Sequence, residues 1–337
     1  MQGESFMDEA SFTIEHDGMS AEILPLGASL VALRPRGAGH SMVLGLRPGG
    51  YGAANRAYVG SSVGRFANRI ASGRFALDGQ EFSTPVNDGP HHLHGGPAGF
   101  STRPWSLVSR TSSEAVLALR SDDGDEGYPG RVDARVIFTV VAGDELQIAY
   151  EAVTDRPTIV NLTSHLYFNL AGGGDILNHR LTVAADHYLP IDETTIPTGE
   201  IAPVEGTRFD FRRGRRLAER PEGLDHNFCL ASQRSADLRA AATLVCEASG
   251  WTVEMTTSEP GLQVYDGAKF DGSQENAAGA PLQAFAGLAL EPQVWPDTPN
   301  RPSFPSALLL PGETYRNVSR YRFINGSSPI VHQGGAA

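Results

Sequence analysis

The sequence predicts an all-β protein, a large antiparallel β-sandwich, on three observations. Turn-forming residues, Gly 38 and Pro 22, are spread along the whole of the 337-residue chain, as many short strands joined by tight turns require. Short runs alternate apolar and polar residues, the period-2 signature of a half-buried strand. Helical spacing is confined to residues 215–219.

Taken in chain order, strands are expected at residues 12–15, 29–34, 73–77 and 115–120. The clearest pattern follows at 132–140, where apolar residues alternate up to a turn at Ala142, Gly143 and Asp144, and the chain returns through 146–150. That is a hairpin. Further strands are expected at 180–184, 242–246, 252–255 and 287–290. No linker, repeat or break in composition interrupts the series. One domain is therefore expected over residues 1–337, with residues 1–10 disordered and 329–337 a frayed tail.

Charge narrows the partners. Lys+Arg 27 against Asp+Glu 39 leaves a formal net charge of -12. Phosphate backbones are bound through clustered Lys and Arg, so neither nucleic acid nor an anionic membrane surface is expected. The basic run at 208–220 is interrupted by Asp210 and Glu219 and reads as a solvated loop. The first ten residues lack the apolar segment of a signal peptide, and no run of about 18 apolar residues is present to span a bilayer. Cys229 and Cys246 are the two cysteines, a usage that favours a reducing, cytoplasmic compartment while leaving one bridge between them possible.

Several segments carry candidate chemistry. Residues 160–170 place His165 inside an apolar, β-branched run bracketed by Asn161 and Asn169. A fixed imidazole is the usual device for moving a proton near neutral pH; on this segment alone a hydrogen-bonded core histidine is an equal alternative. Glu291 ends an apolar strand just before Pro292, where partial desolvation raises a carboxyl pKa towards the range of a general base. Gly60, Ser62 and Gly64 match a G-x-S-x-G nucleophile elbow. That motif needs a helix after the turn, whereas strand-like residues follow at 74–77 and the late histidine, His332, lies in a Gly-rich tail. His91, His92 and His94 suggest a metal cluster but lack the four ligands at set spacings of a structural zinc site, so no metal is expected. His94 stands out because Gly95 and Gly96 after it allow a close backbone or ligand approach. The acidic loop at 122–127 lacks the ligand spacing of an EF-hand.

In chain order, residues 63–70, Leu93-His94-Gly95-Gly96, 161–170, 190–201, Asp225-His226-Asn227, 259–265 and 290–297 resemble the aldose 1-epimerase family. The resemblance implies that family's large antiparallel β-sandwich. It also implies a cofactor-independent isomerase that interconverts the α and β anomers of a free aldohexose such as galactose or glucose. On this resemblance His165 is the general acid and Glu291 the general base, while Asn68, Arg69, His94, Tyr167, Asp225 and Gln263 contact sugar hydroxyls or the ring oxygen. The implied partner is a monosaccharide, and the implied assembly a monomer or homodimer. Ser164 and Leu166 stand where the family more often has Asn and Ser, and Val294-Trp295 replaces a His-Tyr pair; these departures bear on the preferred sugar. The rival reading is a non-catalytic carbohydrate-binding protein of the same fold, against which both catalytic positions are filled. A glycosidase would normally need two carboxylates flanking the bond.

Overall fold

The computed structural model describes residues 10–326. The expected disorder before Ala10, the expected tail at 329–337 and His332 lie outside the described residues. Among those described there is no α-helix, and helical geometry is limited to short 3-10 turns. Residues 215–219 are one correction. Arg215–Arg216 is a short edge strand that runs into the 3-10 turn Leu217–Glu219, whose Leu217 is buried.

Every expected strand is found within a residue or a few of its expected ends, and all ladders in the two large sheets are antiparallel. A nine-stranded sheet runs in the spatial order Arg215–Arg216, Arg180–Val183, Arg239–Cys246, Trp251–Thr257, Tyr315–Asn325, Glu145–Thr154, Val132–Val141, Glu114–Ser121, Ser106–Arg110. A six-stranded sheet has the order Tyr167–Phe168, Leu288–Gln293, Gly261–Tyr265, Asp225–Cys229, His187–Tyr188, Ala202–Pro203. One apolar core joins them, running from Ile14 to Phe323 and including Val136, Phe138, Ile148 and Tyr321 of the first sheet with Phe228, Leu262, Val264, Leu288 and Leu290 of the second.

Because side chains alternate across a strand, the residues between those core positions face the other way. In the six-stranded sheet these are Asp225 and Asn227, Gln263 and Tyr265, and Ala289 and Glu291. The register sets them side by side, Asn227 opposite Gln263 opposite Glu291, with Asp225 opposite Tyr265 opposite Ala289. A row of polar groups is thus delivered to one face by the same period that buries the leucines on the other.

Tyr315–Asn325, the longest strand, was not expected. Its inward positions include Asn317 and Ser319, which break the apolar alternation. Both are spent on hydrogen bonds: Asn317 Nδ2 donates to the Leu162 carbonyl (2.8 Å) and Pro292 carbonyl (3.2 Å), and Ser319 Oγ pairs with Thr257 Oγ1 (2.9 Å).

Asn161 performs the same service nearer the site. It is fully buried; its Nδ2 donates to the Ala67 carbonyl (3.0 Å), and its Oδ1 accepts from the Val294 amide (3.1 Å). Asn161→Ala leaves those two backbone groups buried without partners, so it is expected to cost about 2–4 kcal/mol in urea unfolding. A loss below about 1 kcal/mol would show that water or relaxation replaces both bonds.

Candidate active site

His165 follows the short strand Thr163–Ser164, which pairs with Ser62–Val63. Its own backbone is clamped on both sides: the His165 amide donates to the Ser61 carbonyl (2.9 Å), and the Gly60 amide donates to the His165 carbonyl (2.9 Å). Its imidazole tilts over the Tyr167 ring at 4.9 Å between centroids and stacks on Tyr58 at 5.9 Å. Across from it, Glu291 projects from Leu288–Gln293, and His165 Nε2 lies 3.6 Å from Glu291 Oε1.

His94 is fixed by a reciprocal backbone exchange. Its amide donates to the Asn68 carbonyl (3.1 Å), and its Nδ1 accepts the Asn68 amide proton (3.1 Å). Both residues sit at positive φ, +52° for His94 and +68° for Asn68. Since Nδ1 is an acceptor, the neutral ring carries its proton on Nε2 and offers a donor. Asn68 Oδ1 in turn accepts the Arg69 amide (2.9 Å). The close approach expected at Gly95 and Gly96 is present, and it is made by neighbouring chain. A Cβ on Gly95 would overlap the Gly64 carbonyl, and one on Gly96 the Glu126 carboxylate, so these glycines admit neighbouring chain segments rather than a ligand.

Arg69, almost fully buried, bridges two carboxylates, with Nε 2.8 Å from Asp88 Oδ2 and Nη1 3.7 Å from Asp225 Oδ2. Asp225 Oδ1 accepts from Gln263 Nε2 at 2.6 Å.

These groups line one cavity of about 250 Å³. Asn68, Arg69, His94, His165, Tyr167, Asp225 and Glu291 all reach it. Gln263, expected to contact sugar, is not among its lining residues and stands behind Asp225. Other lining residues were not anticipated, among them Tyr58, Asp88, Tyr265 and Phe270. Nothing local marks Tyr58, whose placement follows from a positive φ of 57°; Asp88, between Asn87 and Gly89, reads as an ordinary turn residue.

Burial governs the electrostatics. Desolvation pushes the His165 imidazole down to about 4 from 6.5, partly offset by Asp225. Desolvation, reinforced by Asp225 and opposed by Arg69, holds the Glu291 carboxyl well above the usual carboxylate range. His94 is pushed well below the usual range, chiefly by burial and then by His165 and Arg69. Among the described residues, His165 Nδ1 and Glu291 Oε2 are buried without a hydrogen-bond partner.

The departures Ser164, Leu166, Val294 and Trp295 are all buried, and none lines the cavity. Ser164 Oγ meets the Tyr150 hydroxyl (2.5 Å), and Trp295 Nε1 donates to the Pro260 carbonyl (3.0 Å). They touch the scaffold rather than the space a sugar would fill. Ser62 is likewise buried, bonded to the Tyr150 hydroxyl (2.7 Å), and does not line the cavity.

A buried imidazole–carboxylate pair that lines a cavity among polar and charged side chains of a β-sandwich is chemically able to exchange protons with a small polar molecule. The chain belongs to the aldose 1-epimerase family, whose model matches residues 10–322. It is 43% identical to mouse galactose mutarotase over 323 residues, with 93% of each chain covered. It is 36% identical to aldose 1-epimerase of Escherichia coli K12, covering 91% of this chain and 92% of that one. Among solved structures, a GalM/aldose epimerase homologue from C. elegans superposes with a TM-score of 0.87 at 32% identity, covering 94% of this chain and 99% of that one.

The donor chemistry of the histidines argues against a metal here. His94, His165 and Glu291 bring potential ligand atoms within 4.8 Å of one another. His94, however, has Nδ1 occupied by the Asn68 amide and its proton on Nε2, so it has no lone pair to give. His91 and His92 are spent elsewhere. His91 accepts the Ser72 amide (3.0 Å) and meets Thr194 Oγ1 (2.8 Å); His92 meets the Pro85 carbonyl (2.7 Å) and the Tyr128 hydroxyl (2.6 Å). Two ligands do not make a site that retains a divalent ion. Exhaustive chelation followed by dialysis should leave the catalytic rate unchanged; loss of rate restored by added zinc would reverse this reading.

Proposed function

We propose that the chain is an aldose 1-epimerase acting on a neutral aldohexose, with Glu291 as general base and His165 as general acid. The observation that carries this reading is the His165–Glu291 pair, two ionisable groups 3.6 Å apart on the floor of the cavity, both buried. Ring opening requires the O1 proton to pass to a base while a proton reaches O5; the C1–O5 bond breaks and C1=O1 forms. Glu291 as carboxylate accepts the first proton and His165 as imidazolium delivers the second. Rotation about C1–C2 presents the other carbonyl face, and reclosure with the roles reversed gives the opposite anomer. No cofactor enters this scheme.

The proton count is conserved within the pair. Burial disfavours both charges, so the resting pair holds its single proton on Glu291, with His165 neutral. That is also the arrangement that follows ring opening. The charged arrangement needed to begin on a closed ring differs only by movement of one proton between adjacent atoms. His94, neutral with Nε2–H available, is suited to donate to a sugar oxygen without competing as the acid. Asp225 and Arg69, ordered by Gln263 and Asp88, suit hydroxyl recognition through charge-assisted hydrogen bonds.

We further propose that the whole chain forms one domain, that it works as a monomer or homodimer, and that it is cytoplasmic. The core running from Ile14 to Phe323 supports the first point. The free thiols Cys229 and Cys246 are compatible with a reducing compartment.

Polarimetry on freshly dissolved galactose and glucose tests the activity. His165→Asn and Glu291→Gln should each lower the enzymatic rate by about 10²–10⁴-fold while leaving the fold intact. A folded variant that keeps most of its rate would remove that residue from its role.

The pH dependence of kcat/KM has a defined form. The pair must hold one proton, so activity falls when His165 takes a second at low pH and when Glu291 loses the last at high pH; the values belong to the pair. From sequence, Glu291 would set the acidic limb and His165 the alkaline one, whereas burial exchanges them. The acidic limb is expected near pH 4, and the alkaline limb above the ordinary carboxylate range. An acidic limb centred near 6.5, the ordinary imidazole value, would contradict this.

A further inference from the structure

Three tyrosines line the cavity, Tyr58, Tyr167 and Tyr265, and their hydroxyls are not equivalent. The Tyr167 hydroxyl donates to the Ala57 carbonyl (3.2 Å), so its proton is spent on the scaffold. The Tyr265 hydroxyl accepts the Lys269 amide (2.8 Å). The Tyr58 hydroxyl has no hydrogen-bond partner among the described residues. Desolvation, then the Asp88 carboxylate, pushes its pKa up to about 12 against the opposing charge of Arg69. A phenol so placed keeps its proton around neutral pH and is a standing donor.

Tyr58 is held as firmly as the reacting pair. Its backbone has a positive φ of 57° in the turn 55–61. The Tyr58 amide donates to the Asn55 carbonyl (3.2 Å), and the Ser61 amide donates to the Tyr58 carbonyl (3.0 Å). Buried Asn55 closes the turn from within. Its Nδ2 donates to the Val59 carbonyl (2.9 Å) and Ser61 Oγ (3.1 Å), and its Oδ1 accepts the Val59 amide (2.8 Å). The same turn supplies the Ser61 carbonyl and Gly60 amide that clamp His165. The Tyr58 ring meets His94 edge-on, at 4.6 Å between centroids and 61° between planes, besides stacking on His165. Ring and backbone are thus fixed in advance, so a hydrogen bond from this hydroxyl costs little rotamer entropy.

We propose that Tyr58 is a further substrate-binding residue, which donates its phenol proton to one sugar hydroxyl and sets affinity rather than rate. The proposal rests on the aldohexose substrate assigned under Proposed function. There O1 and O5 belong to Glu291 and His165, which leaves O2, O3, O4 and O6 as partners for Tyr58. None of these changes its bonding during ring opening. A bond to one of them is therefore made equally in the ground state and the transition state, and such binding lowers KM without raising kcat. A neutral donor also adds to the site a discrimination that Arg69 and Asp225 do not duplicate, rejecting a sugar that lacks the partner hydroxyl.

Tyr58→Phe tests the proposal, because it keeps the ring against both histidines and removes the hydroxyl alone. With the hexose that is turned over, KM should rise about threefold to tenfold, the loss of one neutral hydrogen bond, while kcat and both limbs of the pH profile stay unchanged. The 2-, 3-, 4- and 6-deoxy analogues of that hexose then complete double-mutant cycles. The KM penalty should persist for analogues that keep the partner hydroxyl and disappear for the one that lacks it. An unchanged KM for the parent hexose, an equal penalty for all four analogues, or a fall in kcat with a displaced pH limb would overturn the contact. Absence of turnover on both galactose and glucose defeats the proposed function by itself. The contact is then read from the sugar Kd in equilibrium titration: Tyr58→Phe should weaken binding by the same factor, and equal or absent binding overturns it.

Discussion

Two ionisable side chains buried 3.6 Å apart are the constraint on which this structure turns. Neither His165 nor Glu291 could carry an unpaired charge at such depth without a cost of several kcal/mol, and together they need only one proton. Sharing it leaves the resting site neutral. On the proposed mechanism, the charged state needed to open a closed ring is then a short internal transfer away. A more exposed pair would hold ordinary pKa values and have to exchange protons with solvent; a more distant pair could not trade one proton.

The scaffold exists to keep that geometry. His165 cannot slide, because its amide and carbonyl are both tied to the segment around Ser61. Glu291 cannot rotate out of register, because its strand lies between Gly261–Tyr265 and Tyr167–Phe168 in a ladder whose opposite face is core. Buried asparagines do the joining where sheets give way to loops. Asn161 ties residue 67 to residue 294, and Asn317 ties the long central strand to Leu162, three residues before His165, and to Pro292, directly after Glu291. Catalytic geometry and core packing thus share the same hydrogen bonds, so defects in either should appear in both.

Much of this was legible from residue order, and the reasons for the rest are physical. Strands whose inward residues are apolar, such as Val132–Val141, announce themselves by alternation; Tyr315–Asn325 does not, because two of its inward side chains are polar and bonded. His165 and Glu291 were visible as polar groups in apolar surroundings. Tyr58 was invisible, since its ring reaches the two histidines through a backbone turn that no side-chain pattern encodes. Gln263 was placed in contact with sugar because it lies in a recognisable motif, yet a 2.6 Å bond to Asp225 holds it one layer back. The four departures from the family pattern suggested altered specificity, and all four point into the scaffold. Motif membership identifies a neighbourhood; only the direction of the side chain says which members face the ligand.

The central claim is that the ligand-free pair holds one proton, on Glu291, with His165 neutral. The most direct measurement is a ¹⁵N NMR titration of the His165 imidazole in the sugar-free enzyme, its resonances assigned by their disappearance in His165→Asn. The account predicts a neutral ring at pH 6, titrating near pH 4. An imidazolium at pH 6, with a midpoint close to 6.5, would contradict it.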